Sequence, residues 1–555
     1  MLFRSISLYQ PNTLLPFTRN GTYTLLTYSG ADPAAANLSC ANPAYGKTYT
    51  FSASGGSLTV TIGNDTSAAS LWNTDGSGLW STASNWTVAP ANAAGSQARF
   101  DSAITAPATV TSSGETVGEI FINNANAYTL GGTGLTLDNS GSTALINVES
   151  GAHRITAPLA LSGDTTLNLS ASTLLTLGAA SGATATLTAQ GNGTLALAEA
   201  PSVQALSLNV PEVGVTNTLT LAPPVALQRS LTVRPALSTT TTVSGVISGA
   251  ANLTKAGSST LALSGANTYS GVTTVSAGTL SANTLANGGA ASSIGASSSA
   301  SGNWILGPAT FHYTGPSATI NRGYTLNAGS GRAAVLKVDD ELTLSGPCTS
   351  WSGAIIKTGA GTLRYTYANG GQTLASYEGN ADALLNTGVN GDGPTTGFSG
   401  YTISNGKVIL GAPGQTNTCN FRITVGHYTT TAAGAETAGE LEIVDGILYC
   451  NTTFSVGRGN GNATTAPGGI SSRFTMNGGI ANFNLIGIGY AGAAGATFNA
   501  RPILDINAGT VNVASDTRVA DSKGAIATVN VRGGTFRCSG QFGNAGLSLG
   551  GATAT

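Results

Sequence analysis

The segment Leu504–Val513 reads LDINAGTVNV, with apolar residues at its first, third, eighth and tenth places and Gly509 between the two apolar pairs. Alternation with a period of two places one set of side chains on a single face of a β-strand. Glycine reaches the positive φ angles that other residues avoid, so it suits a sharp corner of the backbone. We therefore predict two short strands that meet at Gly509 and share a buried face.

The same pattern recurs in the neighbouring sequence. Its other copies are Leu441–Cys450, Phe474–Phe483 and Val529–Cys538. The corner glycines Gly446, Gly479, Gly509 and Gly534 are separated by 33, 30 and 25 residues. Spacings of about 20–50 residues are typical of solenoids, in which each repeat forms one coil and loops absorb differences in length. Each copy is therefore predicted to be one coil, with Cys450 and Cys538 at equivalent places.

Short apolar segments separated by glycine or Ser-Gly and Asn-Gly pairs also fill the earlier sequence. They include Tyr128–Leu130, Leu135–Leu137, Leu145–Val148, Leu167–Leu169, Leu174–Leu177 and Leu195–Leu197. Strands this short cannot bury an apolar face alone, so they are expected to stack on copies of themselves, about 4.8 Å apart. Helical periodicity is absent, and an all-β solenoid is predicted.

The composition excludes two other classes of protein. Disorder requires low hydrophobicity and high net charge, but 41% of the residues are hydrophobic and the net charge is −2. Nucleic-acid binding requires a clustered basic surface, but the 22 lysines and arginines are scattered along the chain. The sequence therefore predicts a folded, strand-rich protein that does not bind nucleic acid.

The cysteines and the chain ends give further expectations. The five cysteines are Cys40, Cys348, Cys419, Cys450 and Cys538. Because no CxxC pair occurs, they indicate neither a zinc site nor a disulfide framework and are expected to be small buried side chains. Met1–Gln10 lacks the features of a signal peptide, and no run of about 18 apolar residues predicts a membrane span. Leu547–Thr555 stops inside a glycine-rich repeat, so we expect the chain to be cut at both ends.

One long segment resembles a known repeat. Residues Leu253–Leu280 read LTKAGSSTLALSGANTYSGVTTVSAGTL, similar to the autotransporter-associated β-strand repeat, or passenger-associated transport repeat, of bacterial proteins. The places that match the hallmark are Gly257, Leu261, Leu263, Gly265, Asn267, Thr268, Tyr269, Gly271, Thr273, Val275, Gly278 and Leu280. Ser259 replaces the second hallmark glycine. Ile355–Leu363, continued by Tyr401–Leu410, is a weaker copy with a long insertion.

The resemblance implies a right-handed parallel β-helix of the pectin-lyase-like kind, exported and displayed at the bacterial surface, and it supplies no catalytic residue. We expect three consecutive parts. They are residues 1–65, the closing strands of an upstream β-helical segment; 66–411, a β-helix with a Trp-rich opening that carries the repeat; and 412–555, a second repeat array.

Three tryptophans follow the first of these parts. Leu71–Phe100 contains Trp72, Trp80 and Trp86 and looks like the Trp-rich segment that opens β-helices in such proteins. Tryptophan suits both a hydrophobic cap that closes the end of a solenoid and a platform on which a sugar stacks. We expect the cap, and the three residues remain candidates for glycan stacking.

Several strings imitate enzyme motifs without the structural context that those motifs need. Ala41–Thr48, ANPAYGKT, resembles a phosphate-binding loop but leads into a predicted strand instead of a helix. Gly487, Gly489 and Gly492 spell GxGxxG, again with no following helix, and are predicted to be solenoid corners. Ser548 in GLSLG imitates a nucleophile elbow but lies in a repeat strand, where no triad can be placed.

Glycan binding or polysaccharide cleavage is the alternative to a purely structural role, because such chemistry needs acidic residues along a groove. The acidic candidates are Asp339, Asp340 and Glu341, followed by Asp382 and Asp392. Three adjacent carboxylates in a strand point alternately to opposite sides, so a solvated turn is the preferred reading. The histidines His153, His312 and His427 show no metal-ligand spacing.

The sequence thus predicts an extracellular or outer-membrane-surface protein that acts as a structural or adhesin-like passenger scaffold. We expect no catalytic residue, cofactor or metal. The expected partners are extracellular glycans or the surface of a host or neighbouring cell.

Overall fold

The computed structural model describes residues 5–11, 17, 19–35, 38–43, 47–64, 70–329, 332–367, 371–375, 401–419, 422–428, 439–459, 472–491, 501–520 and 525–540. Within these ranges there is no α-helix, and the 3-10 turns Ala83–Asn85 and Ser301–Asn303 accompany 52 β-strands. The chain forms two compact units, Met1–Val213 and Gly214–Thr555. The all-β class is confirmed. The division falls at neither predicted boundary, so the boundaries at 65/66 and 411/412 stay predictions.

The first unit begins with an antiparallel sheet. Its strands are Gly21–Thr27, Lys47–Ser54 and Ser57–Asn64, with the last in the middle. A separate parallel pair joins Ser5–Ile6 to Ser39–Cys40. A coil pairs its strands in parallel, so this antiparallel sheet is not itself a coil, and the assignment of residues 1–65 to the closing strands of an upstream β-helical segment stays a prediction. Gly55 and Gly56 have φ angles of 58° and 75°, and two consecutive residues at positive φ make the tight turn of a hairpin.

The rest of the first unit consists of parallel columns, a column being a set of strands from successive coils paired side by side. The first column contains Ser70–Leu71, Gln97–Phe100, Glu119–Asn123, Ala144–Ser150, Thr165–Leu169 and the latter parts of Ala180–Gly191 and Ser202–Asn209. The second contains Gly78–Leu79, Ala108–Ser112, Tyr128–Gly132, Ala152–Ile155, Leu174–Leu177 and Thr194–Leu197. The third contains Glu115–Val117, Leu135–Leu137, Leu159–Leu161 and the start of Ala180–Gly191. Strand Glu212–Val215 includes the residues at which the two units divide.

The second unit has the same architecture. One column contains Leu219–Leu221, Thr240–Val243, Thr260–Leu263, Thr279–Ala282, Thr310–Tyr313, Ala333–Val338, Ala354–Thr358, Tyr401–Ile403, Ile423–Tyr428, the ends of Ile447–Gly459 and Arg473–Ala491, and Thr517–Val519. Another contains Ala318–Ile320, Glu341–Leu344, Thr362–Tyr365, Gly406–Leu410, Gly439–Ile443, the starts of Arg473–Ala491 and Ile503–Val513, and Thr528–Val531. A parallel pair joins Val225–Leu227 to Ile247–Ser248.

The remaining strands of the second unit form two parallel series. The earlier series contains Leu231–Pro235, Leu253–Lys255, Thr273–Val275, Trp304–Leu306, Thr325–Asn327 and Thr349–Ser352. The later series contains Gly371–Ala375, Thr416–Cys419, the start of Ile447–Gly459, the middle of Arg473–Ala491, the end of Ile503–Val513, and Thr535–Cys538. Both units are therefore parallel β-solenoids, as predicted.

The four repeat copies lie directly over one another. Leu441 pairs with Phe474, Phe474 with Leu504, and Leu504 with Val529. The equivalent chain on the other side of the corner runs Cys450, Phe483, Val513 and Cys538. The predicted equivalence of the two cysteines is therefore confirmed. The apolar side chains of the first three copies are buried in the core, whereas Val531 of the fourth is 51% exposed.

The corner glycines stack as well. Gly446, Gly479 and Gly509 have φ angles of 76°, 71° and 79°, which confirms the predicted corner. Gly534 does not adopt a positive φ, so the prediction is wrong for the fourth copy. A Cβ atom on Gly479 would lie 2.3 Å from the carbonyl oxygen of Gly446, and one on Gly509 would lie 2.6 Å from that of Gly479. Each glycine is therefore required by the coil beneath it as well as by its own backbone angle.

Candidate functional site

The three tryptophans lie inside the first unit. Trp72 and Trp80 are 0% exposed, and Trp86 is 4% exposed. Phe100 packs between them, with its ring centre 5.4 Å from that of Trp80 and 5.5 Å from that of Trp86. Each indole N–H donates to a backbone carbonyl, the acceptors being those of Thr74, Ala91 and Trp80. The polar edge of every ring is therefore satisfied within the protein.

This burial separates the two interpretations of the tryptophans. Ser70–Leu71 and Gly78–Leu79 are the outermost strands of their columns, so the cluster closes one end of the apolar core. A sugar stacks on an exposed ring face, and these rings present none. The glycan-stacking interpretation of Trp72, Trp80 and Trp86 is not supported for this reason, and the geometry is that of a hydrophobic cap.

The acidic candidates do not converge. Asp339 pairs with His312 at 2.8 Å, and Asp340 accepts a hydrogen bond from the backbone N–H of Ser317 at 3.0 Å. Glu341 pairs with Arg364 at 3.1 Å. Asp339 and Asp340 form the exposed turn before strand Glu341–Leu344, as preferred from the sequence. Asp382 and Asp392 lie outside the described residues.

The histidines are equally separate. His153 is buried, accepts from the Tyr128 N–H on Nδ1 at 3.1 Å and contacts the Ser150 carbonyl through Nε2 at 2.6 Å. Burial lowers its pKa, which favours the neutral imidazole. The side chain of His427 lies outside the described part of the chain. Among described residues, no three His, Cys, Asp or Glu side chains form a group that could hold a metal ion.

The enzyme-like strings lack the helices that they need. Lys47 of the ANPAYGKT string begins the strand Lys47–Ser54. Gly487 lies within the strand Arg473–Ala491, and Gly489 has a φ of 68° in the same strand. Gly489 therefore has the backbone angle of a corner, whereas Gly487 does not occupy one. Gly492 and Ser548 lie outside the described residues.

The segment that resembles the transport repeat forms two stacked coils. Leu253–Lys255 pairs with Thr273–Val275, and Thr260–Leu263 pairs with Thr279–Ala282. Its polar hallmark residues hold the corner. Asn267 accepts from the Ile247 N–H at 2.8 Å and donates to the Ser293 carbonyl at 2.8 Å. The hydroxyl of Tyr269 bonds that of Thr273 at 2.6 Å. These side chains serve the coil itself.

Two buried lysines have a shared role that the sequence analysis missed. Lys255 and Lys357 stand at the same place in LTKAG and IIKTG, and each ammonium donates to three backbone carbonyls. The acceptors are Ala256, Gly257 and Ala277 for Lys255, at 2.7–3.0 Å, and Thr358, Gly359 and Asn405 for Lys357, at 2.7–3.3 Å. The sequence signal for this role was the lysine that both segments carry two residues before a glycine. Each lysine ties one coil corner to the next.

Because of these two lysines, we expect the free energy of unfolding to rise with pH. Burial lowers the pKa of both to about 8, with Arg234 adding to the effect at Lys255 and Asp339 opposing it at Lys357. An unfolded lysine keeps its proton to about pH 10.4. Between these values the unfolded chain binds more protons, so raising the pH from 8 to 9.5 should favour the folded state by about 1–2 kcal/mol per lysine.

The test compares urea unfolding of the wild type with that of Lys255→Met and Lys357→Met at both pH values. The difference between wild type and variant isolates the lysine, because the other titratable groups are the same in both chains, including the Cys348 and Cys450 thiols, whose pKa burial raises to about 12. We expect the difference to move in favour of the wild type as pH rises. A difference that is constant with pH would show that the ammonium groups do not titrate in this range.

A cleft lined by both polar and apolar side chains also lies in the first unit, and no sequence pattern indicated it. Its volume is about 550 Å3. One wall comes from the segment before the antiparallel sheet and includes Phe17 and Arg19; the other comes from the ends of three neighbouring strands and includes Asn123, Glu149 and Ser170. Because these groups are separated by up to about 150 residues of sequence, no local pattern could have brought them together.

Comparison with known proteins gives two matches. The passenger-associated-transport-repeat family model matches residues 253–282. The adhesin BmaC autotransporter of Brucella suis biovar 1 (strain 1330) is 35% identical over 235 residues, which cover 37% of this chain and 7% of that protein. The chain carries a passenger-associated transport repeat, and over part of its length it is similar to an autotransporter passenger. No solved structure matches this passenger-repeat protein.

The location follows from the same matches. The passenger-repeat protein belongs at the extracellular or outer-membrane surface. Of the residues that the structure describes, none form a helix both long and apolar enough to cross a membrane. The matched adhesin is far longer than this chain, so its activity as a whole bears on this protein only as a proposal.

Proposed function

We propose that this passenger-repeat protein is an adhesin-like scaffold that presents binding surfaces outside the cell and performs no catalytic step. The observation that carries the proposal is the repeat at Leu253–Ala282, whose hallmark side chains Asn267 and Tyr269 bond the repeat itself and the coils on either side of it. In such a repeat the interior maintains the fold, and the outward-facing side chains are free to vary. The similarity to a protein named as an autotransporter adhesin supports the same role.

The described acidic residues also support a non-catalytic role. Hydrolysis of a glycan by two carboxylates requires them about 5–9.5 Å apart on either side of one bond. Here Asp339 is paired with His312, and Glu341 with Arg364. Elsewhere, Asp505 is paired with Arg473 and Arg532. Each of these three carboxylates is therefore engaged with a basic side chain.

A bead assay tests the adhesin role. Beads coated with the purified chain should bind cultured epithelial cells several-fold better than beads coated with an unrelated β-solenoid, and soluble chain should inhibit this binding. The control solenoid removes any effect of the fold itself. Binding no better than the control would contradict the adhesin role. Release of reducing ends from a polysaccharide by the chain would contradict the non-catalytic role.

A further inference from the structure

We propose that the cleft between the N-terminal segment and the first column of the first unit binds a short acidic saccharide. The inference deepens the proposed adhesin function and rests on it in one respect, that the chain meets ligands outside the cell. The residues that line the cleft give its location. Their charges and their hydrogen-bonding groups indicate the class of ligand. The cleft is distinct from the tryptophan cap, which has no exposed ring.

The cleft has the size of a ligand site, and one of its walls is built on paired strands. A volume of about 550 Å3 lies within the range of about 300–1,000 Å3 that holds small ligands. Asn123, Glu149 and Ser170 lie at or just beyond the ends of paired neighbouring strands of one column. Successive strands are about 4.8 Å apart. This wall therefore presents polar groups at a regular spacing on a fixed backbone.

Two neutral groups on this wall have hydrogen-bonding capacity left over. The Asn123 side-chain oxygen accepts from the Ser150 hydroxyl at 2.8 Å, which fixes the amide. Within the described part of the chain, nothing accepts a hydrogen bond from the Asn123 Nδ2, and the Ser170 hydroxyl bonds no side chain or backbone group. A half-buried donor without a protein partner is suited to a ligand hydroxyl.

The charges of the cleft select an anionic ligand. Glu149 is held by the buried Lys47 ammonium at 3.1 Å and by the Asn147 amide at 3.1 Å, so its charge is compensated. Arg19 on the opposite wall pairs with no carboxylate among the residues described. A guanidinium binds a carboxylate through two parallel N–H donors. The cleft therefore has one cation available for the carboxylate of a uronic or sialic acid.

The apolar part of the lining suits a sugar ring. Pro11 and Phe17 also line the cleft, and Phe17 packs edge-on against Tyr23 with 5.0 Å between ring centres. Saccharides present hydroxyls at their edges and C–H groups on their faces, which corresponds to polar groups on one wall and an apolar patch on the other. An acidic peptide would use the arginine but would not need the separate amide and hydroxyl donors.

Isothermal titration calorimetry of the full chain tests the proposal. The probes are sialyllactose and trigalacturonate, with lactose as the neutral comparison and a triglutamate peptide as the acidic one. We expect saturable binding of at least one acidic saccharide and much weaker binding of lactose and the peptide. Arg19→Ala should weaken binding by about 10-fold or more, and Ser170→Ala by about 2- to 10-fold.

The matched control is Arg154→Ala, which removes the same charge from an exposed site on a strand of the second column and should leave the affinity unchanged. Circular dichroism should show all three variants to be folded, because none of these residues belongs to the apolar core. The proposal is overturned if no acidic saccharide binds, if the peptide binds equally well, or if Arg154→Ala has the effect of Arg19→Ala. Cell binding by beads that survives Arg19→Ala would overturn the cleft as the adhesive site while leaving the adhesin function standing.

Discussion

Replacing Trp80 with alanine is expected to lower the free energy of unfolding by about 3–5 kcal/mol. The side chain is fully buried against Trp86 and Phe100, so its removal leaves a cavity at the end of the core. It also leaves the Ala91 carbonyl without the indole N–H that now bonds it at 2.8 Å. Urea unfolding followed by circular dichroism measures the loss without relying on tryptophan fluorescence.

The neighbouring Leu79 provides the control for this substitution. It is 53% exposed, so Leu79→Ala should change the stability by no more than about 0.5 kcal/mol. The cap and the glycan platform predict different results for Trp80. If Trp80→Ala kept the wild-type stability but abolished binding of a saccharide, the assignment of this ring to the core would be wrong.

Gly479→Ala is expected to cost about 2–5 kcal/mol. A side chain at a φ of 71° costs about 1–2 kcal/mol. The added methyl group would also lie 2.3 Å from the Gly446 carbonyl oxygen, which requires a backbone shift of the kind that costs about 1–3 kcal/mol in packed cores. Chemical denaturation gives the total, and hydrogen exchange of residues 472–491 shows whether the loss begins at this coil.

Gly289→Ala is the matched control. Gly289 has a φ of 86°, but a Cβ atom there would meet nothing within 4 Å. Only the backbone cost of about 1–2 kcal/mol should then remain. Equal losses for Gly479→Ala and Gly289→Ala would rule out the contact between stacked corners as a source of stability.

The fold could be predicted because a solenoid repeats one sequence pattern from coil to coil. The alternation around Gly446, Gly479 and Gly509 predicted both the strands and the corners, and the structure pairs the copies residue by residue. The fourth copy shows the limit of this reasoning. Gly534 has the same sequence context but a different backbone angle, so the pattern predicts the paired strands but does not by itself set every φ or the burial of every apolar residue.

The candidate site was much less predictable. Pairing of Lys47–Ser54 with Ser57–Asn64 reverses the chain direction at a two-glycine turn, and apolar alternation is the same in parallel and antiparallel strands. The cleft depends on where this sheet and its preceding segment lie against strands about 100 residues further on, as the Lys47–Glu149 ion pair shows. Such contacts leave no periodic trace in the sequence.

The stacking of one coil on the next has a mechanical consequence for a protein at a cell surface. In the second unit the hydrogen bonds between paired strands run along the direction in which coils succeed one another. A pull in that direction loads the bonds of the terminal coil first, and that coil detaches before the next one bears the force. Each detached repeat is 25–33 residues long and releases roughly 80–120 Å of extended chain. In a bacterium held by such a tether, the tether would lengthen in steps under flow. Each step would lower the peak force at the attachment point.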